Sequence, residues 1–182
     1  MQRTRVAVVG LGNVGRGAAE AIAASPEFEL AGVVRRRAEP GARAAGPNWE
    51  APAVTQIDEL GEVHAALMCG PTRELEPMEH ALLRSGINVV DTFDIHGGPL
   101  WNHKQSLAAS AVEGQSTAVI AAGWDPGADS VIRALLEIIA PVGITYTNFG
   151  PGMSMGHSVA VRAISGVADA VSITLPAGYG RH

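Results

Sequence analysis

The chain has 182 residues, 47% of them hydrophobic and 17% charged, with a formal net charge of −5. This balance describes a folded globular protein and excludes both a disordered segment and a cationic nucleic-acid binder. Cys69 is the single cysteine, which excludes an internal disulfide and any multi-cysteine metal cluster. No apolar run reaches the length of a membrane span, and the basic N-terminal residues run into a stretch too short for a signal peptide, so a cytoplasmic location without membrane contact is expected. The six histidines show no metal-ligand spacing, and no metal is expected.

Val6–Val9 reads as an apolar strand that enters Gly10-Leu11-Gly12-Asn13-Val14-Gly15 and then an alanine-rich helical stretch, Arg16–Ala24. A strand, a tight glycine turn and a helix place a dinucleotide pyrophosphate at a helix N-terminus, where free N–H groups and the macrodipole favour negative charge. The next strand-like stretch, Leu30–Val34, ends in Arg35, Arg36 and Arg37. An NAD site commonly carries Asp or Glu here to accept from the ribose 2′-hydroxyl. Guanidinium groups instead bind a 2′-phosphate through charge-assisted bonds worth about 1.5–3 kcal/mol each. The expected cofactor is therefore NADP, with Arg36 and Arg37 as phosphate ligands and Arg35 as a neighbour; a solvated basic strand end is the plainer alternative for any one of them.

Arg37–Pro52, rich in Gly, Pro and Ala, reads as an irregular connection. Strand-like segments return at Ala65–Cys69, Asn88–Asp91 and Thr117–Ala121, with helix-like stretches between several of them. The alternation predicts an α/β fold: a doubly wound, parallel, Rossmann-type sheet. In such sheets ligands bind beyond the carboxyl ends of the strands, so Gly10–Gly15, Arg35–Arg37, Cys69–Thr72, Asp91–His96 and Ala122–Gly127 are expected to share a crevice.

From Asp125 the pattern changes. Asp125-Pro126 suits an N-cap followed by a first-turn proline, and Val131–Ile139 a helix that stops before Pro141. Ile144–Phe149 reads as a strand, Gly150–Gly156 as a glycine-rich loop, His157–Ile164 as a helix and Ala170–Leu175 as a strand. The division expected is residues 1–122 for dinucleotide binding and 123–182 for the first part of an α+β substrate and dimerisation domain.

Two acids stand on the expected strand ends, Asp94 in Asp91-Thr92-Phe93-Asp94-Ile95-His96 and Asp125 in Gly123-Trp124-Asp125-Pro126-Gly127. Together they suit an ammonium group, although a turn former at Asp94 and a helix cap at Asp125 are the plainer roles. Trp124 and Met155 equally suit core packing, and Cys69 reads as a packing residue.

These segments, with Phe149-Gly150-Pro151-Gly152-Met153-Ser154-Met155-Gly156-His157-Ser158, Arg35-Arg36-Arg37 and the final Thr174-Leu175-Pro176, resemble the meso-diaminopimelate dehydrogenases over essentially the whole chain. The wording of 145–161 looks closest to the thermophile-type branch, which is broader toward D-amino acids. The resemblance implies an enzyme: reversible NADP-dependent oxidative deamination of the D-centre of meso-2,6-diaminopimelate. It implies dinucleotide contacts at Gly10, Gly12, Asn13, Val14, Arg36 and Arg37, with Cys69, Gly70, Pro71, Thr72, Thr92, Phe93, Ala122 and Gly123 along the nicotinamide half. Around the substrate it implies Asp94, Trp124, Asp125, Phe149, Met155, Gly156 and Thr174, with Asp94 and Asp125 as the anions that balance the developing iminium charge. Aspartate is too weak a base by type to be named the proton acceptor, and the base stays unassigned.

The resemblance also implies a homodimer or larger assembly and a longer polypeptide. An arginine for the distal carboxylate, a histidine and an asparagine would lie farther along, so the chain is expected to be a fragment or truncated reading frame with most cofactor contacts and an incomplete substrate clamp. An NADP-binding module without turnover, or another NADP-dependent reductase of this architecture, is the alternative.

Overall fold

Residues 6–9 are buried in succession, the mark of a central strand covered on both faces. The computed structural model describes residues 3–143, 152–154, 158 and 161–174, and the chain divides into two compact units, residues 1–128 and 129–182. The first runs β1 (Thr4–Val9), α1 (Asn13–Ala24), β2 (Phe28–Val34), β3 (Arg43–Gly46), β4 (Trp49–Val54), a 3₁₀ turn (Ile57–Leu60), β5 (Ala65–Met68), α2 (Thr72–Arg84), β6 (Asn88–Asp91), α3 (Gly98–Glu113) and β7 (Ala118–Val119). The sheet order is β3-β4-β2-β1-β5-β6-β7, and every pair is parallel except β3 with β4. This is the doubly wound fold expected from the alternation of elements.

The period of two along β1 sorts its side chains into two cores. Val6 and Val8 join Ala19 and Ile22 of α1 with Val33, Trp49 and Ala51. Ala7 and Val9 join Met68, Leu75, Leu82 and Leu83, with Leu107 of α3. The buried positions of α1 are Gly15, Ala19 and Ile22, a helical stripe of i, i+4 and i+7.

Three local readings are corrected. The stretch 37–52 is not irregular: it holds the β3–β4 hairpin, in which Arg43 pairs with Pro52 and Gly46 with Trp49. Trp49, Ala51 and Ala53 alternate inward, so burial overrides the weak strand preference of alanine and proline. Asp125 does not cap a helix, because Asp125-Pro126 is a cis peptide within a turn and the next helix, α4 (Ala128–Ile139), begins at Ala128. Helix α1 opens at Asn13, directly on the glycine turn, rather than at Arg16.

In the second unit, Gly152–Ser154 forms β8, so the glycine-rich segment is not all loop; β8 pairs antiparallel with β9 (Ser172–Thr174), as the strand reading of 170–175 anticipates. Ser158, Val161 and Arg162 are helical, and the Ser158 hydroxyl accepts the Ser172 N–H at 2.9 Å. The strand reading of 144–149 lies outside the described residues. No helix of the described residues is long and apolar enough to cross a membrane.

Two α1 glycines make opposite predictions. A Cβ on Gly15 would lie 1.9 Å from the Gly10 carbonyl oxygen, whereas one on Gly17 meets nothing within 4 Å. Gly15→Ala is expected to lower the unfolding free energy by about 2–3 kcal/mol, and Gly17→Ala to raise it by about 0.5–1 kcal/mol. Urea titration checks both, with the midpoints moving in opposite directions.

Candidate functional site

The end of β1 is wedged between its neighbours. Gly10 N–H donates to the Val34 carbonyl at 2.9 Å and Cys69 N–H donates to the Val9 carbonyl at 2.8 Å. Gly10 has φ +92°, and a Cβ there would stand 2.9 Å from the Gly70 nitrogen. The turn therefore requires glycine for its conformation and for the close approach of a second backbone. Beyond it, α1 starts after Gly12 with no side-chain cap and no acid in its first turn. No side chain caps its first N–H groups, and Gly12, Asn13 and Val14 are exposed beside them.

Arg35, Arg36 and Arg37 are all exposed at the end of β2, and Arg35 N–H ties the strand to the Val54 carbonyl at 2.8 Å. Glu74, in the first turn of α2, meets Arg36 with Nη2 to Oε2 at 2.7 Å. Both partners are more than half exposed, so the pair is weakly stabilising and open to exchange.

The ends of β5 and β6 build the next wall. Met68, Gly70, Thr72, Leu75, Glu79, Asp91, Thr92 and Phe93 line one narrow hollow. Burial pushes the Cys69 thiol up to about 11, which makes it a packing group rather than a nucleophile.

The acids occupy two loops of the first unit. Asp94 is exposed, and the Asp125 side chain is three-quarters covered, with His96 Nε2 at 3.6 Å from its Oδ1. Trp124 is 52% exposed, so it is not the buried core aromatic that composition allowed. Gly123 bridges to Gly127 and accepts the Ala128 N–H at 3.0 Å, which closes the turn that carries Trp124 and Asp125. Of the other predicted substrate residues, Phe149, Met155 and Gly156 lie outside the described residues, and Thr174 is placed in β9 by its backbone alone.

The sequence reading missed the group beneath these loops. Asp91, at the end of β6, is 2% exposed. Its Oδ1 accepts Phe93 N–H at 3.0 Å and Ala121 N–H at 2.7 Å, and its backbone carbonyl accepts Ala122 N–H at 2.8 Å. His103 of α3 lies 2.7 Å from Asp91 Oδ2 through Nε2, and 3.4 Å from Glu79 Oε2 through the same atom. Burial, and then the Asp91 charge, push the Glu79 carboxyl up to about 7, while His103 opposes the shift.

One candidate cation-donor group is found among the described residues, Glu79, Asp91 and His103, with donor atoms within 4.8 Å of one another. The same Nε2 and Oδ2 atoms are joined in the short hydrogen bond. A signal for the group exists in the sequence: Glu79 interrupts the buried α2 stripe Leu75, Leu82, Leu83, and His103 opens the α3 stripe that continues to Leu107 and Ser110.

Comparison with known proteins gives two family matches, the diaminopimelic acid dehydrogenase C-terminal domain over residues 123–179 and an oxidoreductase family with an NAD-binding Rossmann fold over residues 4–91. A meso-diaminopimelate D-dehydrogenase of Bacteroides fragilis is 50% identical over 182 residues, which is all of this chain and 60% of that protein. The diaminopimelate dehydrogenase of Corynebacterium glutamicum in complex with diaminopimelate aligns with a TM-score of 0.72 at 30% identity, over 94% of this chain and 52% of that one. An engineered D-amino acid dehydrogenase bound to NADP+ aligns with a TM-score of 0.71 at 29% identity, over 93% of this chain and 52% of that one. The chain thus spans little more than half the length of the relatives it matches.

Glu79 makes stability depend on pH. Its carboxyl moves from 4.5 to about 7, so between these values the folded state keeps a proton that the unfolded chain has released. Stability therefore falls as pH rises through that window, and the penalty is fully present above it. Glu79→Gln is expected to lack this part of the slope, so the variant gains on the wild type from pH 4.5 to 7. Denaturant titrations of both proteins across this range check the difference; a constant gap refutes it.

Proposed function

Because this chain belongs to the diaminopimelate dehydrogenase family in sequence and in fold, we propose that it serves the reversible, NADP-dependent oxidative deamination of meso-2,6-diaminopimelate at its D-configured carbon. The products are L-2-amino-6-oxopimelate and ammonia, and other D-amino acids enter the same chemistry. One observation carries the reading. A single buried carboxylate, Asp91, holds the loop of Asp94 and the segment leading to Asp125 beside a glycine turn built for a pyrophosphate.

The chain's own residues fit the cofactor. The α1 N-terminus and the glycine turn take the pyrophosphate through backbone N–H groups, with Gly10, Gly12, Asn13 and Val14 in contact. Arg36 and Arg37 take the 2′-phosphate, with Arg35 beside them, and Arg36 exchanges Glu74 for the phosphate. Cys69, Gly70, Pro71, Thr72, Thr92, Phe93, Ala122 and Gly123 border the nicotinamide half. When bound, the nicotinamide supplies a two-electron acceptor for hydride.

As hydride leaves the α-carbon, the substrate nitrogen becomes a planar iminium and its positive charge needs fixed partners. Asp94 and Asp125 supply two carboxylates set in place before the reaction, so the stabilisation needs little reorganisation. The exposed Trp124 ring packs the substrate chain and limits its orientation. Water then adds to the imine carbon and ammonia leaves. By resemblance to the family, Phe149, Met155, Gly156 and Thr174 are proposed as further substrate contacts. In this reading residues 1–122 bind the dinucleotide and residues 123–182 open the substrate domain.

Purified chain supplied with NADP+ and meso-diaminopimelate, or a simple D-amino acid, at alkaline pH tests the reading, and NADPH absorbance supports a dehydrogenase that turns over even at this length. Cofactor binding with no reduction would reassign the chain to a nucleotide-binding module. Arg36→Ser combined with Arg37→Ser is expected to weaken NADP+ binding by about 100-fold or more and to change NAD+ binding by less than about threefold. Titration calorimetry with each coenzyme decides, and equal losses refute the phosphate assignment. Asp125→Asn is expected to lower kcat/KM by at least about tenfold with NADP+ affinity intact; loss of folding in circular dichroism would make its role structural.

A further inference from the structure

The loop that carries Asp94 and the segment that leads to Asp125 share a buried anchor. Asp91 is buried at the end of β6, with both carboxylate oxygens engaged. Oδ1 takes one N–H from each segment, Phe93 at 3.0 Å and Ala121 at 2.7 Å. Ala121 has φ +55°, a left-handed backbone that alanine rarely adopts, and the hydrogen bond to Asp91 helps to hold it there. Oδ2 takes His103, whose ring also stacks on Phe93 with centroids 4.3 Å apart and planes 14° from parallel. One imidazole thus fixes the anchoring carboxylate and the side chain of the loop above it.

Around this anchor two buried polar atoms, Glu79 Oε2 and His103 Nδ1, make no hydrogen bond among the described residues. From α2, Glu79 approaches the same His103 Nε2, while Glu76 Oε1 lies 3.9 Å from His103 Nδ1 and accepts the Ser106 hydroxyl at 2.9 Å. His80 lies 2.8 Å from Ser110 Oγ and 2.9 Å from Ser106 Oγ, which makes the rest of the α2–α3 seam self-contained. Apolar side chains of equal size would fill this space with less desolvation. They would offer Phe93 and Ala121 no acceptor, and the two segments would lose their common reference point.

We propose that Asp91 and His103 are positioning residues for amine oxidation: together they set where the Asp94 loop and the Asp125 segment stand relative to one another. This rests on the amine dehydrogenase reading of the site. Substitution is expected to act on the substrate side of the reaction and to spare the cofactor cradle at Gly10–Gly15.

The test uses the 182-residue chain and reads the amide hydrogens directly, whether or not it turns over. In Asp91→Ala, exchange at Phe93 and Ala121 is expected to quicken by at least about tenfold while Val8 and Val33 keep their wild-type rates. Asp91→Asn, which retains an acceptor oxygen, is expected to hold both amides within about threefold of wild type. His103→Gln is expected to quicken the same two amides and serves if Asp91→Ala does not fold. In the kinetic arm, Asp91→Ala is expected to raise KM for the D-amino acid by about tenfold with the NADP+ Kd within about twofold, and Asp91→Asn to recover most of the loss. Unchanged exchange at Phe93 and Ala121, faster exchange spread evenly to Val8 and Val33, or equal effects on KM and NADP+ Kd would each overturn the proposal. A wild-type chain without turnover would sink the dehydrogenase reading, and the exchange data would still decide whether Asp91 holds the loops.

Discussion

The first unit depends on the room left at the end of β1, where two backbones approach to the limit of contact. Gly10 meets the backbone of Gly70, and Gly15 meets the carbonyl of Gly10, at distances that leave no space for a side chain. Because β1 is the central strand, with β2 on one side and β5 on the other, this approach sets how the first helix leaves the sheet and where its free N–H groups point. The anion site is thus a consequence of backbone packing, and no side chain caps the helix end.

Burial sets the second constraint. Two carboxylates and an imidazole lie within the α2–β6–α3 layer, and burial together with the Asp91 charge drives the Glu79 carboxyl toward its neutral form. Asp91 differs from Glu79 in its partners: two backbone N–H groups donate to its Oδ1, and the His103 ring lies 2.7 Å from its Oδ2. Asp91 therefore serves as the anchor by its hydrogen bonds, while burial acts on the charge of Glu79.

Much of the fold was legible in the sequence, because period and punctuation are local. The apolar runs at β1, β2, β5 and β6 and the glycine turn could be read directly, and each stands close to where the periodicity put it. The β3–β4 hairpin was not legible: alanine and proline carry little strand preference, and Trp49, Ala51 and Ala53 are strand residues only because a core lies on one side of them. Asp125-Pro126 looks like a helix start in one dimension, yet the helix begins at Ala128 because Gly123 and Gly127 close a turn first. The motif around Asp94 was legible, and its anchor was not. Asp91 reads as the last residue of an apolar strand, and its partners Ala121 and His103 come from segments distant in the chain.

Helix α2 joins the two ends of the site. Glu74, in its first turn, reaches Arg36 at the end of β2. Leu75 packs over Gly70, where an added Cβ would lie 3.2 Å from its Cδ2. One turn farther on, Glu79 meets the imidazole that holds Asp91. Three residues on one short length of helix therefore touch the arginine cluster, the glycine contact beneath the nucleotide turn and the anchor of the acid-bearing loops. The Arg36–Glu74 pair thus sits on a helix whose next turn meets the buried network. Closely packed interiors resist continuous deformation, so the arginine-bearing end of β2, the Gly10–Gly70 contact and the Asp91 anchor share one rigid support in α2.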